Sequence, residues 1–274
     1  MSEKFKNNKL KQSVSDKTHI SVKKLQKVMF YIISFSMFFS LYEISRLLHL
    51  VDPSLLPSLA QVGYAAINKV RDGSLYVHIY WSFRRVAIGF VIGMIMAVGV
   101  GFIIGYFKLI RSLLDPIMSF LRALPPIALI PLTVIIMGIG ETSKISVLIY
   151  ASFFPAVVVI YQGIISLNPL YIRAAKCLGS NSQEMFIRVI LPQVIPHFIT
   201  ACRVSLGVCW ATLVAAEMIA ARRGLGAMIM NSMNFFQIPP VILGIFLIGI
   251  IALSMDGLIR YIERKFTFWQ EKIG

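Results

Sequence analysis

Four arginines and a glutamate stand within or beside the most apolar stretches of this sequence: Arg84, Arg85, Arg122, Arg203 and Glu217. An ionised side chain is costly in an apolar medium unless it meets an opposite charge or lines a polar path. The chemistry open to these residues is therefore electrostatic. Arg122 and Arg203 each have two readings, either reaching for headgroups or a neighbouring carboxylate, or facing a pathway and drawing in an anion. Arg203, Trp210 and Glu217 follow one another at intervals of seven residues, which places them on one helical face. Glu217 could pair with Arg84 or Arg85 and close a mouth, or the pair could serve structure alone.

Covalent and metal chemistry find little support. Gly138-Ile-Gly-Glu-Thr-Ser-Lys144 has the glycines of a phosphate-cradling loop, but such a loop needs Gly-Lys-Ser/Thr after four intervening residues, and here Lys144 follows Ser143. It reads as a turn between apolar blocks, with Lys144 near the headgroups. His19, His49, His78 and His197 are scattered without an acidic cluster, and Cys177, Cys202 and Cys209 fit no metal-ligand spacing. No nucleophile stands beside a base, so neither catalytic nor metal-binding residues are assigned.

The elements that hold these residues follow from composition. Of 274 residues, 57% are apolar and 14% charged, gathered into blocks of which several reach the roughly 20 residues needed to cross a bilayer core of about 30 Å. The sequence predicts an all-α, polytopic membrane helix bundle of about six spans, over residues 28–51, 86–106, 115 onward, 145–167, 194–221 and 239–259. The third begins at Asp115-Pro116, a cap with proline at the first helical position, and is broken by Pro125, Pro126 and Pro131. The interval 52–85 is too polar to cross and holds an amphipathic helix over Leu59–Val70. Small residues recur every fourth position in span 2 (Gly89, Gly93, Ala97, Gly101, Gly105) and again in span 5 (Gly207, Ala211, Ala215), a pattern that lets helix backbones approach closely in lipid.

Residues 1–27 form a tail with eight lysines, expected to be disordered or to lie on anionic headgroups, and residues 261–274 form a second basic tail. Between them, 28–260 is the transmembrane domain. The first apolar block lacks a small-residue cleavage site and reads as an uncleaved anchor. Lys and Arg crowd both tails and the loops holding Lys108, Arg111, Arg173, Lys176 and Arg188, so both termini are expected in the cytoplasm. The formal charge of +15 lies in tails and short loops, not on a basic stripe with aromatics, and membrane lipid rather than nucleic acid is its partner.

That orientation puts the interval at about 168–193 on the cytoplasmic side. It reads as a short helix, a glycine break, a second amphipathic helix and a proline stop, with Ala174, Ala175 and Leu178 on one face and Arg173 and Lys176 turned outward. Such a helix, protruding between spans, suits a groove on another protein.

Ala174-Ala175, Gly179, Val189 and Leu191-Pro192 resemble the coupling loop of ABC importer permeases: Glu-Ala-Ala, three residues, Gly, nine residues, Ile, one residue, Leu-Pro. The spacing matches without a gap, with Arg173 where the pattern often has Glu and Val189 where it has Ile. Leu121–Leu132, Gly138–Lys144, Ala216-Glu-Met-Ile-Ala220 with Gly224-Leu-Gly226, Asp52–Ser58 and Asp256–Trp269 are similar to the nitrate, sulfonate and bicarbonate (taurine and alkanesulfonate-like) branch.

The resemblance implies a type I importer permease fold with a cytoplasmic coupling helix, in a bacterial inner membrane. It implies a permease pair, expected to be a homodimer, two copies of a separate ABC ATPase subunit on the coupling loops, and an extracytoplasmic binding protein. ATP and Mg would belong to the ATPase, leaving no cofactor in this chain and no enzymatic activity of its own. The substrate would be a small solute such as an organic sulfonate, taurine, nitrate or bicarbonate. A gradient-driven transporter or channel is the competing class. It predicts two related halves with broken helices at matching places, whereas only span 3 is strongly broken. An ABC exporter would need longer cytoplasmic helices or a fused ATPase.

Overall fold

The computed structural model describes residues 29–48 and 55–266. The chain divides after Gln61 into two units. In the first, residues 29–47 form helix α1, most of whose apolar side chains are exposed, as befits a helix facing lipid. Both ends of the first expected span lie outside the described residues. Glu43 and Arg46 pair at 2.5 Å, as their one-turn spacing predicts. The Tyr42 hydroxyl donates to the Pro57 carbonyl at 2.6 Å. Ser58 opens α2 (Leu59–Arg71) with a reciprocal cap: Ser58 N–H donates to Gln61 Oε1 at 2.8 Å, and Gln61 N–H to Ser58 Oγ at 3.3 Å.

The second unit continues through α3 (Ser74–Tyr106), α4 (Lys108–Ala123), a 3₁₀ turn (Pro126–Leu129), α5 (Ile130–Met137), α6 (Glu141–Ile165), α7 (Pro169–Cys177), α8 (Ser182–Met185), a π turn (Phe186–Ile190), α9 (Leu191–Ala220), α10 (Leu225–Asn234) and α11 (Ile238–Phe266). Among the described residues, four continuous stretches are long and apolar enough to cross a membrane: Ser74–Tyr106, Glu141–Ile165, Ser182–Ala220 and Ile238–Lys265. A fifth arises if α4 and Pro126–Met137, bent by 82°, are one broken span.

Three expectations about element ends are corrected. The second span begins at Ser74, not at residue 86. The break is at Asp72-Gly73, where Gly73 has φ 72° and Asp72 Oδ1 accepts from Ser74 N–H at 2.8 Å. Hydrogen bonding from Ser74 holds the Asp72 carboxyl below its ordinary value. Arg84 and Arg85 end the apolar block only while the partners of Arg85 elsewhere in the chain are unknown. Asp115 does not cap a helix, because α4 starts at Lys108 and carries Pro116 inside it. The Asp115 carboxylate instead accepts from the Tyr161 hydroxyl, and the Tyr150 hydroxyl donates to the Leu121 carbonyl, so both tie α4 to α6. Lastly, Pro192 does not stop a helix. The ladder widens to a π turn just before it, with Leu191 N–H donating to the Phe186 carbonyl, and this accommodates a ring that would clash in a regular helix.

The core is a sandwich of α3, α6 and α9. The small-residue ladder of α3 lies directly against α6: a Cβ on Gly89 would collide with Leu148, one on Gly93 with Ser152, and one on Gly105 would come within 2.8 Å of Ile164. Of the ladder expected in span 5, only Ala215 packs within the described residues, against Ile130 and Val147. Gly207 faces open space and Ala211 is exposed. The buried stripe of α9 is instead Ala201, Ser205, Cys209 and Ala216, all fully buried. Ser205 Oγ donates to the Ser152 carbonyl at 2.9 Å, so a second row of small side chains on the same helix gives the closer approach.

Candidate functional site

Two places hold the chemistry, at opposite ends of α6. This 25-residue helix is roughly 37 Å long at 1.5 Å per residue.

At its N-terminal end lies a buried ionic cluster. Arg85, 2% exposed on α3, donates from Nη1 to Glu217 Oε1 at 2.6 Å and to the Arg223 carbonyl at 2.6 Å. Its Nε and Nη2 form a fork on Glu141, at 2.7 and 2.8 Å. Lys144, one turn along α6 and 5% exposed, donates to the same carboxylate at 2.8 Å. Glu217 is wholly buried near the end of α9 and also accepts from Ser82 Oγ and from Gly226 N–H at 2.9 Å. Ser82 Oγ in turn accepts from Leu225 N–H, and His78 Nδ1 accepts from Gly224 N–H.

The Gly224-Leu-Gly226 spacing has its reason here. Gly224 has φ 133°, and a Cβ there would overlap the Glu217 carboxylate. A Cβ on Gly226 would approach the Val214 carbonyl oxygen to 2.6 Å. Of the two candidate partners for Glu217, Arg85 is taken. Arg84 is exposed and forms no ion pair with Glu217, its guanidinium lying 5.0 Å from the centre of the Trp81 ring.

Sequence reasoning missed Glu141 and Lys144 as members of this cluster, reading their segment as a turn. Their spacing of three residues at the start of an apolar block was the available signal. Lys144 is buried and paired in the first turn of α6, not free at a headgroup. A cavity of about 600 Å³ opens on the cluster, lined by Trp81, Arg85, Glu141, Lys144, Arg222 and Arg223 among others.

At the other end of α6, Asn168 caps α7 by accepting from Leu170 N–H at 2.9 Å. The helix stops in a Schellman arrangement. Gly179, at φ 80°, donates to the Lys176 carbonyl at 3.0 Å, and Ser180 N–H donates to the Ala175 carbonyl at 3.1 Å. Two residues on, Asn181 and Glu184 form a capping box that restarts the helix. Ala175 is buried, whereas Arg173, Ala174 and Lys176 are exposed and Leu178 is 86% exposed. The expected face of Ala174, Ala175 and Leu178 is thus split, with Ala175 inward and Leu178 outward. Val189 lies in the π turn, where its carbonyl accepts from Gln193 Nε2 at 3.0 Å, and Leu191-Pro192 follow at the start of α9.

The remaining candidates are not brought together. Arg203 pairs with α11, at 2.8 Å to Asp256 and 3.7 Å to Glu263. Trp210 is buried among Val86, Leu148, Leu206 and Leu213, its indole N–H without a partner. Arg122 is exposed in the last turn of α4, just before Pro125 and Pro126 turn the chain, and makes no ion pair among the described residues.

A profile of the family described as "Binding-protein-dependent transport system inner membrane component" matches residues 89–268. A probable ABC transporter permease protein of Brucella abortus (strain 2308) is 40% identical over 80% of this chain and 87% of its own length. The taurine transport system permease protein TauC of Escherichia coli (strain K12) is 37% identical over 82% of this chain and 84% of its own. In structure, a chain of the MetNI methionine ABC transporter in an inward-facing conformation superposes with a TM-score of 0.54 at 18% identity, over 68% of this chain and 96% of that one, a likeness of fold.

Proposed function

The chain belongs to the family of binding-protein-dependent transport system inner membrane components, and from that premise we propose that it is the permease subunit of an ATP-driven importer for a small sulfonate-type anion. The observation that carries this reading is α7. It is a short helix held rigid by its own caps, yet it leaves Leu178 bare at the far end of α6 from the ionic cluster. An apolar side chain so exposed on a rigid protrusion suits a groove on a partner, and the partner proposed is a separate ATPase subunit, with ATP and Mg bound there. By the charge distribution α7 lies in the cytoplasm with both termini, and the ionic cluster faces the side where a binding protein delivers substrate. Two permease copies, each on one ATPase, would complete the machine.

The kinship with TauC supports a sulfonate or related anion as cargo. Arg122 is then the pathway residue. Unlike Arg203, which is paired with α11, it stands exposed at the break between α4 and the 3₁₀ turn, where a cationic side chain lowers the desolvation cost of a passing anion. The test is uptake of taurine by membrane vesicles, normalised to assembled complex. Uptake should require ATP and an active ATPase partner, and Arg122→Gln should reduce it far more than it reduces assembly, with Arg122→Lys restoring part. Uptake that ignores ATP and collapses with the proton gradient overturns the reading. Normal uptake by Arg122→Gln removes that residue from the path.

A further inference from the structure

The cavity over the ionic cluster has a charge pattern that structural pairing alone does not require. Inside it the charges cancel: Arg85 and Lys144 face Glu141 and Glu217. The rim adds Arg222 and Arg223, both exposed and without an ion pair among the described residues. The cup is therefore net cationic, with two of its cations almost wholly buried and pre-positioned by α3 and α6.

Its two carboxylates are not equivalent. Glu217 is sealed, held by Ser82, Gly226 and Arg85. The Glu141 side chain is 41% exposed, and its carboxylate accepts hydrogen bonds from the two buried cations. On Arg85 it occupies the planar two-oxygen position that any oxyanion head would take.

We propose that this cup receives the anionic head of the substrate, an oxyanion of the sulfonate type on a small organic body, and that Glu141 occupies the position until the oxyanion displaces it. The proposal rests on the importer reading and adds where cargo is first held. A cavity of about 600 Å³ leaves room beyond the head for a body of several atoms, which the Trp81 ring would flank. Displacement frees Glu141 from Arg85 and so loosens the tie between α3 and the start of α6, while Glu217 keeps α3 fixed to α9.

The experiment uses the full-length permease assembled with its ATPase in nanodiscs of zwitterionic lipid, without ATP. Ethanesulfonate is titrated while tryptophan emission is followed, with Trp81→Phe supplying the background. A saturable change that depends on Trp81 is expected, and none with ethylammonium. Arg222→Gln with Arg223→Gln should weaken binding roughly tenfold, and Glu141→Gln should tighten it several-fold, by removing the competing carboxylate. No saturable change, or one indifferent to both variants, overturns the proposal. So does a change produced by anionic lipid and not displaced by ethanesulfonate, which would make the occupant a lipid phosphate. If binding fails while ATP-dependent uptake persists, only the cup falls. Uptake without ATP removes the importer reading itself.

Discussion

The two ends of α6 solve opposite problems. At the Glu141 end, the buried charges and backbone groups are satisfied inside the chain, so that even Gly224 and Gly226 are shaped around one carboxylate, and only the rim arginines are left without a carboxylate among the described residues. At the α7 end, the backbone is just as fully satisfied, by the Asn168 cap, the Schellman turn at Gly179 and the Asn181–Glu184 box, but Leu178 and Tyr171 are left exposed. Apart from its rim, the first end is finished within the chain. The second is left open within the chain, and the proposed docking on the ATPase subunit would complete it.

Breaking the finished end should cost most. Glu217→Ala leaves Arg85, Ser82 and the Gly226 N–H around an emptied site, and loss of one member of a buried ion pair costs about 3–5 kcal/mol. Thermal unfolding in detergent should show a large fall in Tm, and little assembled complex should be recovered. Gly179→Val comes next. A Cβ there meets open space, so the penalty is the left-handed backbone alone, about 1–2 kcal/mol. The protein should insert and melt nearly as before while substrate-stimulated ATP hydrolysis is lost.

Leu178→Ala sharpens the contrast by separating stability from docking. Stability should change by less than about 0.5 kcal/mol, as for any exposed site, whereas ATPase affinity in a pull-down titration should fall roughly tenfold. Glu141→Gln should lower Tm less than Glu217→Ala does, because Glu141 is partly solvated and Arg85 keeps Glu217, although the buried Lys144 loses its carboxylate partner.

Much of this was legible in sequence, for identifiable reasons. The α3 ladder was readable because one helix carries its whole period, and the Glu217 partnership because an intramembrane acid needs a cation and few were on offer. The α7 region was readable through its glycine break, although the Asn168 and Asn181 caps were not singled out. What escaped depends on long-range partners. The start of α3 was hidden because Arg84 and Arg85 look like a boundary until Glu141 and Glu217 are brought beside Arg85. The role of Asp115 was hidden because Tyr161 lies far along the chain. The packed face of α9 was misjudged because two small-residue stripes share that helix, and only packing chooses between them.

The contrast between the two ends is tested most directly by photo-crosslinking in the assembled complex, with a benzophenone side chain placed at Leu178 or at Phe236. Both positions are highly exposed, and Phe236 follows α10, next to the finished end. The account predicts a crosslink from position 178 to the ATPase subunit and none from position 236. A crosslink to the ATPase from 236, or none from 178 in a complex that still hydrolyses ATP in response to substrate, would contradict it.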